Sequence, residues 1–206
     1  MNKLEELFKA SSSASEYARM YVARLADVLS ALDGAALSEG LAAIRRAANE
    51  QHTIYLMGNG GSGAVASHFV NDLGPNSLVP AVNCFRVISL VDNVESITAI
   101  ANDSGYDQIF ALQLESRIVE GDVVIGLSVS GQSENVVRAI RYAREQGAYT
   151  IGLVGFEGGR LSQSVDCCLH FPTTCDEYGI VEDVFAVLSH IISGYLTMQR
   201  GRFLAH

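Results

Sequence analysis

Basic residues are scarce in this chain. Lys and Arg together number 14 against 23 Asp and Glu, for a formal net charge of −9 over 206 residues. A nucleic-acid surface needs clustered Lys and Arg to displace counterions from phosphates, so this balance argues against one. It does not argue against a small anionic ligand, because backbone N–H groups at a helix N-terminus hold a phosphate without a basic surface. Cysteine is sparse too. Cys84, Cys167, Cys168 and Cys175 form no C-x-x-C pair and read as buried or inert thiols. No uninterrupted apolar run reaches the roughly 18 residues of a membrane span. The opening Met1-Asn2-Lys3-Leu4-Glu5-Glu6 is a polar helix start, not the apolar core of a secretory signal. A cytoplasmic location, with no membrane partner, is the expectation.

What is present is ample core material, 49% hydrophobic, in two successive grammars. Residues 1–50 read as helix, with 3.6-residue periodicity over 12–32 and 37–50. The Asp33-Gly34 dipeptide separates them, which predicts a helical hairpin for packing or oligomer contact. From about His52 onward, short apolar runs end in Gly or Ser clusters and lead into helical stretches. Strands are predicted at 53–57, 85–91, 122–127, 150–154 and 167–171. Helices are predicted at 63–73, 94–102, 106–119, 135–146 and 181–199. Alternating elements with nearly continuous apolar strands imply a five-stranded parallel sheet covered on both faces, a three-layer α/β/α sandwich. Residues 51–206 would form this domain. Ligands of such sheets bind at the carboxyl ends of the strands.

Two loops fall there. Gly58-Asn59-Gly60-Gly61-Ser62-Gly63 joins the first strand to a helix. Its glycines permit a sharp turn and a close ligand, and the helix start offers free N–H groups and a favourable dipole. The loop also fits G-x-G-x-x-G, but the acidic residue a dinucleotide site wants about 20 residues on is missing there. The second loop is Ser128-Val129-Ser130-Gly131-Gln132-Ser133-Glu134-Asn135. A helix cap needs one serine. Ser128, Ser130 and Ser133 together suit the three terminal oxygens of a phosphate monoester.

These two loops closely resemble the signature loops of the SIS-domain family of phosphosugar proteins. Ile97-Thr98-Ala99-Ile100-Ala101-Asn102-Asp103, Glu120-Gly121-Asp122-Val123 and Gly155-Phe156-Glu157-Gly158-Gly159 resemble the phosphoheptose isomerase group within it. The resemblance implies that Ser62, Ser128, Ser130 and Ser133 hold the phosphate, with Gly60, Gly61 and Val129 lining the same site. It places Asn59, Asn102 and Asp103 near the sugar hydroxyls.

His68 and Asp72, four apart on one helix, share a face and suit either a divalent metal or a proton transfer. In the group this pair is His and Glu, and the site is linked to zinc. Along the last helix the resemblance sets Glu182 at a Gln position and His190 at a His position. It implies a metal set of His68, Asp72, Glu182 and His190. Residues eight apart on a helix stand about 12 Å apart along the axis. The two side chains must therefore lean together, or a neighbouring subunit must complete the site, so a homo-oligomer is expected; the group implies a homotetramer. Departures from the group are Asp72 for Glu, Glu182 for Gln, Gly179 for a common Asp, and Asn76 near a frequent Arg. His52, His170 and His206 have no partner pattern.

The implied activity is aldose–ketose isomerisation of a sugar phosphate, sedoheptulose 7-phosphate first, through an enediol. Asp72 and His190 are the candidates for proton transfer, with Glu182 as the alternative base. The alternative is a non-catalytic SIS phosphosugar-binding regulator, of the type that associates with the replication initiator DnaA.

Overall fold

The computed structural model of the chain describes residues 2–79 and 84–201; His206 and the side chain of Asn76 lie outside the described residues. Three helices open the chain: α1 (Lys3–Ala10), α2 (Ala14–Ser30) and α3 (Gly34–Asn49). Each begins at a side-chain cap. The Asn2 side chain accepts from Glu5 N–H and the Ser13 hydroxyl from Glu16 N–H. Asp33 accepts from the N–H groups of Ala35 and Ala36, satisfying donors that the first turn leaves unpaired. The Asp33-Gly34 pair is therefore a helix start, which brings α3 forward from the expected Leu37 to Gly34.

The α/β part alternates β1 (Thr53–Gly58), α4 (Gly60–Leu73), β2 (Arg86–Ser89), α5 (Val94–Asp103), α6 (Ala111–Glu115), β3 (Val123–Ser128), α7 (Glu134–Glu145), β4 (Tyr149–Val154), α8 (Gly159–Ser162), β5 (Cys167–His170) and α9 (Tyr178–Gln199). The strands form one sheet in the order β2-β1-β3-β4-β5, parallel throughout. The expected strands are present within one or two residues. One expected helix is not. The stretch 106–119 splits into a 3₁₀ turn at Tyr106–Gln108 and the short α6. Ile109, Phe110, Ala111 and Leu114 are all buried, and Gln113 turns its amide inward to donate to the carbonyls of Leu90 and Ile109. A run buried so continuously carries no one-sided helical stripe.

Strand periodicity distributes the core to both faces. Along β1, Ile54 and Leu56 pack with Ile125, Leu127 and Phe69 on the face covered by α2, α3, α4 and α9. Tyr55 and Met57 pack with Val124, Leu114, Val136 and Ile140 on the face covered by α6 and α7. α9 is long and apolar enough by composition to cross a membrane, but half of its apolar window is buried inside this core.

The N-terminal helices also anchor the start of α9. Arg24 forms a two-point ion pair with the fully buried Glu177 at 2.7 and 3.0 Å. The Tyr21 hydroxyl donates to Asp183 at 2.7 Å. A Cβ on Gly179 would stand 3.0 Å from that hydroxyl, so the glycine leaves room for the Tyr21–Asp183 contact.

Candidate functional site

β1 and β3 are neighbours, with Gly58 level with Leu127, so the two loops that follow them emerge side by side. The first loop is tight. A Cβ on Gly58 would approach the Ser62 backbone at 2.8 Å, and one on Gly63 would approach Gly58 O at 2.9 Å. α4 consequently starts at Gly60, three residues before the expected Gly63, and carries the buried Ser62 in its first turn. The second loop turns at Gly131, whose φ of +64° suits glycine. A Cβ there would run into the carbonyl of Gly158, so this loop lies directly on the turn after β4. Ser128 is buried, and its Oγ lies 3.1 Å from Ser133 Oγ; the Ser130 hydroxyl accepts from Gln132 N–H at 3.2 Å.

Both helix starts lack the side-chain cap that their sequence would supply. Asn59 stands at the cap position of α4 and Ser133 at that of α7, and neither makes a cap hydrogen bond. Ser133 turns toward Ser128. Asn59 turns toward Asn135: Asn59 Nδ2 donates to Asn135 Oδ1 at 2.9 Å, and Asn135 Nδ2 donates to Asn59 Oδ1 at 2.8 Å. Apart from the Val136 N–H, which Asn135 Oδ1 accepts, the first-turn N–H groups and positive dipole ends of the two helices thus stay available between the loops, as an anion requires.

Asn59 also accepts from the Tyr106 hydroxyl at 2.9 Å. A cleft of about 380 Å³ lies here, lined by Gly58, Asn59, Gly60, Ser67, Asp92 and Tyr106. A larger one of about 900 Å³ borders Ser130 and Gln132 opposite Phe156, Glu157 and Arg160. Asn102 and Asp103 are exposed at the end of α5, where Asn102 Nδ2 donates to Asp103 Oδ1 at 2.8 Å. Sequence reasoning missed the roles of Asn135 and Tyr106. The only signal was an asparagine in the first turn of a helix that already had a serine at its cap position.

His68, Asp72 and His190 come together. The two Nε2 atoms stand 2.9 Å apart, and Asp72 Oδ2 lies 3.2 Å from His68 and 3.6 Å from His190. The histidine side chains are 50% and 62% exposed and Asp72 only 13%. All three donor atoms fall within 4.8 Å of one another. Two imidazoles and one carboxylate are a donor set that zinc accepts, and two nitrogens on one tetrahedral ion stand about 3.3 Å apart, so the set fits after a slight opening.

Glu182 does not join this cluster. Its carboxylate lies where a Cβ on Gly61 would be, against the first loop. Gly61 meets Glu182 and, seven to eight residues later, His68 meets His190, so α4 and α9 run side by side in the same direction. Glu182 and the His–Asp–His cluster sit about two to three helical turns apart.

Residues 16–155 match the family model described as the SIS domain. The chain is 36% identical over 146 residues to a phosphoheptose isomerase of Nitratiruptor, a match covering 71% of this chain and 76% of that protein. It is 37% identical over 149 residues to a probable phosphoheptose isomerase of Thermoplasma acidophilum, covering 72% and 80%. The solved phosphoheptose isomerase of Neisseria gonorrhoeae superimposes with a TM-score of 0.81 at 23% identity, covering 91% of this chain and all of that one.

Proposed function

The chain belongs to the SIS domain family, and from that premise we propose that it converts sedoheptulose 7-phosphate into heptose 7-phosphate, serving heptose biosynthesis. It is a sugar-phosphate isomerase of the phosphoheptose isomerase type, consistent with relatives of that name at 36% and 37% identity. The observation that carries the reading is the diversion of both cap residues, Asn59 and Ser133, away from their helix starts. That leaves two sets of N–H groups and the hydroxyls of Ser62, Ser128, Ser130 and Ser133 for a phosphate dianion.

With the phosphate held, the chemistry is a proton moved between neighbouring carbons. A base takes the proton from the carbon beside the carbonyl, an enediol forms, and an acid returns the proton to the former carbonyl carbon. In the ion-free cluster Asp72 and His190 are assigned these transfers; where the same side chains hold an ion their donor atoms are occupied, and Glu182, held at Gly61 apart from the His–Asp–His cluster, is the base. The residues that would hold zinc are His68, Asp72 and His190, and the bound ion would supply a Lewis acid for the sugar carbonyl. A homotetramer with active sites between subunits, as the resemblance to the phosphoheptose isomerase group implies, completes this reading. The setting is taken to be cytoplasmic and the partner a sugar phosphate, with nucleic acid disfavoured by the formal net charge of −9.

The test is turnover of sedoheptulose 7-phosphate by the wild type beside His190→Ala. Loss of turnover with phosphosugar binding retained supports the reading. Binding without turnover in the wild type, across several sugar phosphates, contradicts it.

A further inference from the structure

We infer that Asn135 and Tyr106 are positioning residues that fix the side-chain amide of Asn59 as a hydrogen-bond donor to an oxygen of the bound sugar. The argument starts from a donor of unambiguous sense. The backbone N–H of Val136 donates to Asn135 Oδ1 at 2.9 Å, which sets the orientation of the Asn135 amide. Asn135 is 2% exposed and has no freedom to turn toward water. Its Nδ2 must then face Asn59 Oδ1, and its Oδ1 must receive Asn59 Nδ2. Tyr106 supplies the last constraint, since its hydroxyl donates to the same Asn59 oxygen.

The inventory is then closed. An amide oxygen has two lone pairs and an amide nitrogen two hydrogens. Both lone pairs of Asn59 Oδ1 are taken, by Asn135 and by Tyr106, and one hydrogen of Nδ2 is taken by Asn135. A single N–H remains, on a residue that lines the cleft beside the first loop. Asn59 therefore selects for an acceptor, a carbonyl or hydroxyl oxygen, and offers no acceptor of its own. Tyr106, 58% exposed, stands at the outer side of this network and links the cleft wall to the loop. The same pair of amides joins the first loop to the first turn of α7, while the spacing of the two loops is already set by the pairing of β1 with β3.

This inference deepens the isomerase reading and takes its substrate from it. The experiment measures affinity for sedoheptulose 7-phosphate and for inorganic phosphate in wild type, Tyr106→Phe, Asn135→Ala and Asn59→Ala, and both changes again on the Asn59→Ala background. Asn135→Ala is expected to weaken the sugar phosphate about tenfold and Tyr106→Phe about threefold, with inorganic phosphate held within twofold. On the Asn59→Ala background both effects should vanish, because they act through one amide. An unchanged ratio of the two affinities, or effects that add in full without Asn59, would overturn the inference. Should Asn135→Ala fail to fold, the exposed Tyr106→Phe and its cycle with Asn59→Ala decide the matter alone. Wild-type binding without turnover would sink the isomerase reading while leaving the affinity ratios to judge the amide network. Absence of wild-type sugar-phosphate binding would overturn both.

Discussion

Gly61 in α4 lies directly against the carboxylate of Glu182 in α9, about two helical turns before the contact between His68 and His190 on the same helix pair. This places one carboxylate with the phosphate loop and the other, Asp72, with the histidines. The separation gives the two acids different tests.

Glu182→Gln keeps the shape beside Gly61 and removes the base. The expected outcome is a fall in kcat of about 10²-fold or more with KM changed little, the scale of a lost general base. Metal content per chain should remain at the wild-type value, because Glu182 stands outside the His–Asp–His cluster. Steady-state kinetics and elemental analysis of the same preparation read both.

Metal binding should depend on the cluster. His68→Ala or Asp72→Ala is expected to abolish retention of zinc after dialysis, because two donors do not make a structural or catalytic zinc site. Elemental analysis checks this without reference to activity. Zinc retained equally by both variants would place the ion elsewhere.

The second loop depends on Gly131. Gly131→Ala forces a Cβ onto a residue at φ +64° and into the carbonyl of Gly158. The left-handed conformation alone costs about 1–2 kcal/mol, and the contact adds to it. A lowered unfolding midpoint and loss of phosphate affinity are expected together. Ser130→Ala, by contrast, should weaken phosphate binding about tenfold with the midpoint unchanged.

The anchor of α9 predicts a pH dependence of stability. Burial alone would push the Glu177 carboxyl up, but the Arg24 guanidinium and the hydrogen bonds from Thr174 bring it below the ordinary carboxylate value. A depressed folded value means that the stabilisation is fully present above the unfolded value of about 4.3 and is lost as pH falls through the folded one. Urea midpoints of wild type should therefore drop below about pH 4, more steeply than those of Glu177→Gln. At neutral pH, Arg24→Ala strands a buried carboxylate and should cost about 3–5 kcal/mol.

Much of this was legible from the sequence because the governing signals are local. The apolar run 53–57 followed by glycines could only be a buried strand entering a turn, and β1 with α4 bears that out. The pairing of His68 with Asp72 follows from helical spacing. Other features depend on partners distant in the chain. Asn135 meets Asn59 across 76 residues, and Tyr106 reaches it across 47. Nothing in either segment announces the other. The short α6 was hidden because Ile109, Phe110 and Ala111 are consecutive and all buried, a pattern that helical periodicity misreads. The position of Glu182 follows from the parallel packing of α4 and α9, which only the assembled sheet determines.

The most direct measurement is isomerisation of sedoheptulose 7-phosphate in deuterium oxide, followed by NMR of the recovered sugars. The account predicts formation of the aldose phosphate with deuterium at the former carbonyl carbon, since an enediol exchanges its migrating proton with solvent through a side-chain base. A wild-type protein that binds the ketose phosphate, yet forms no aldose and washes no deuterium into the ketose, would contradict it.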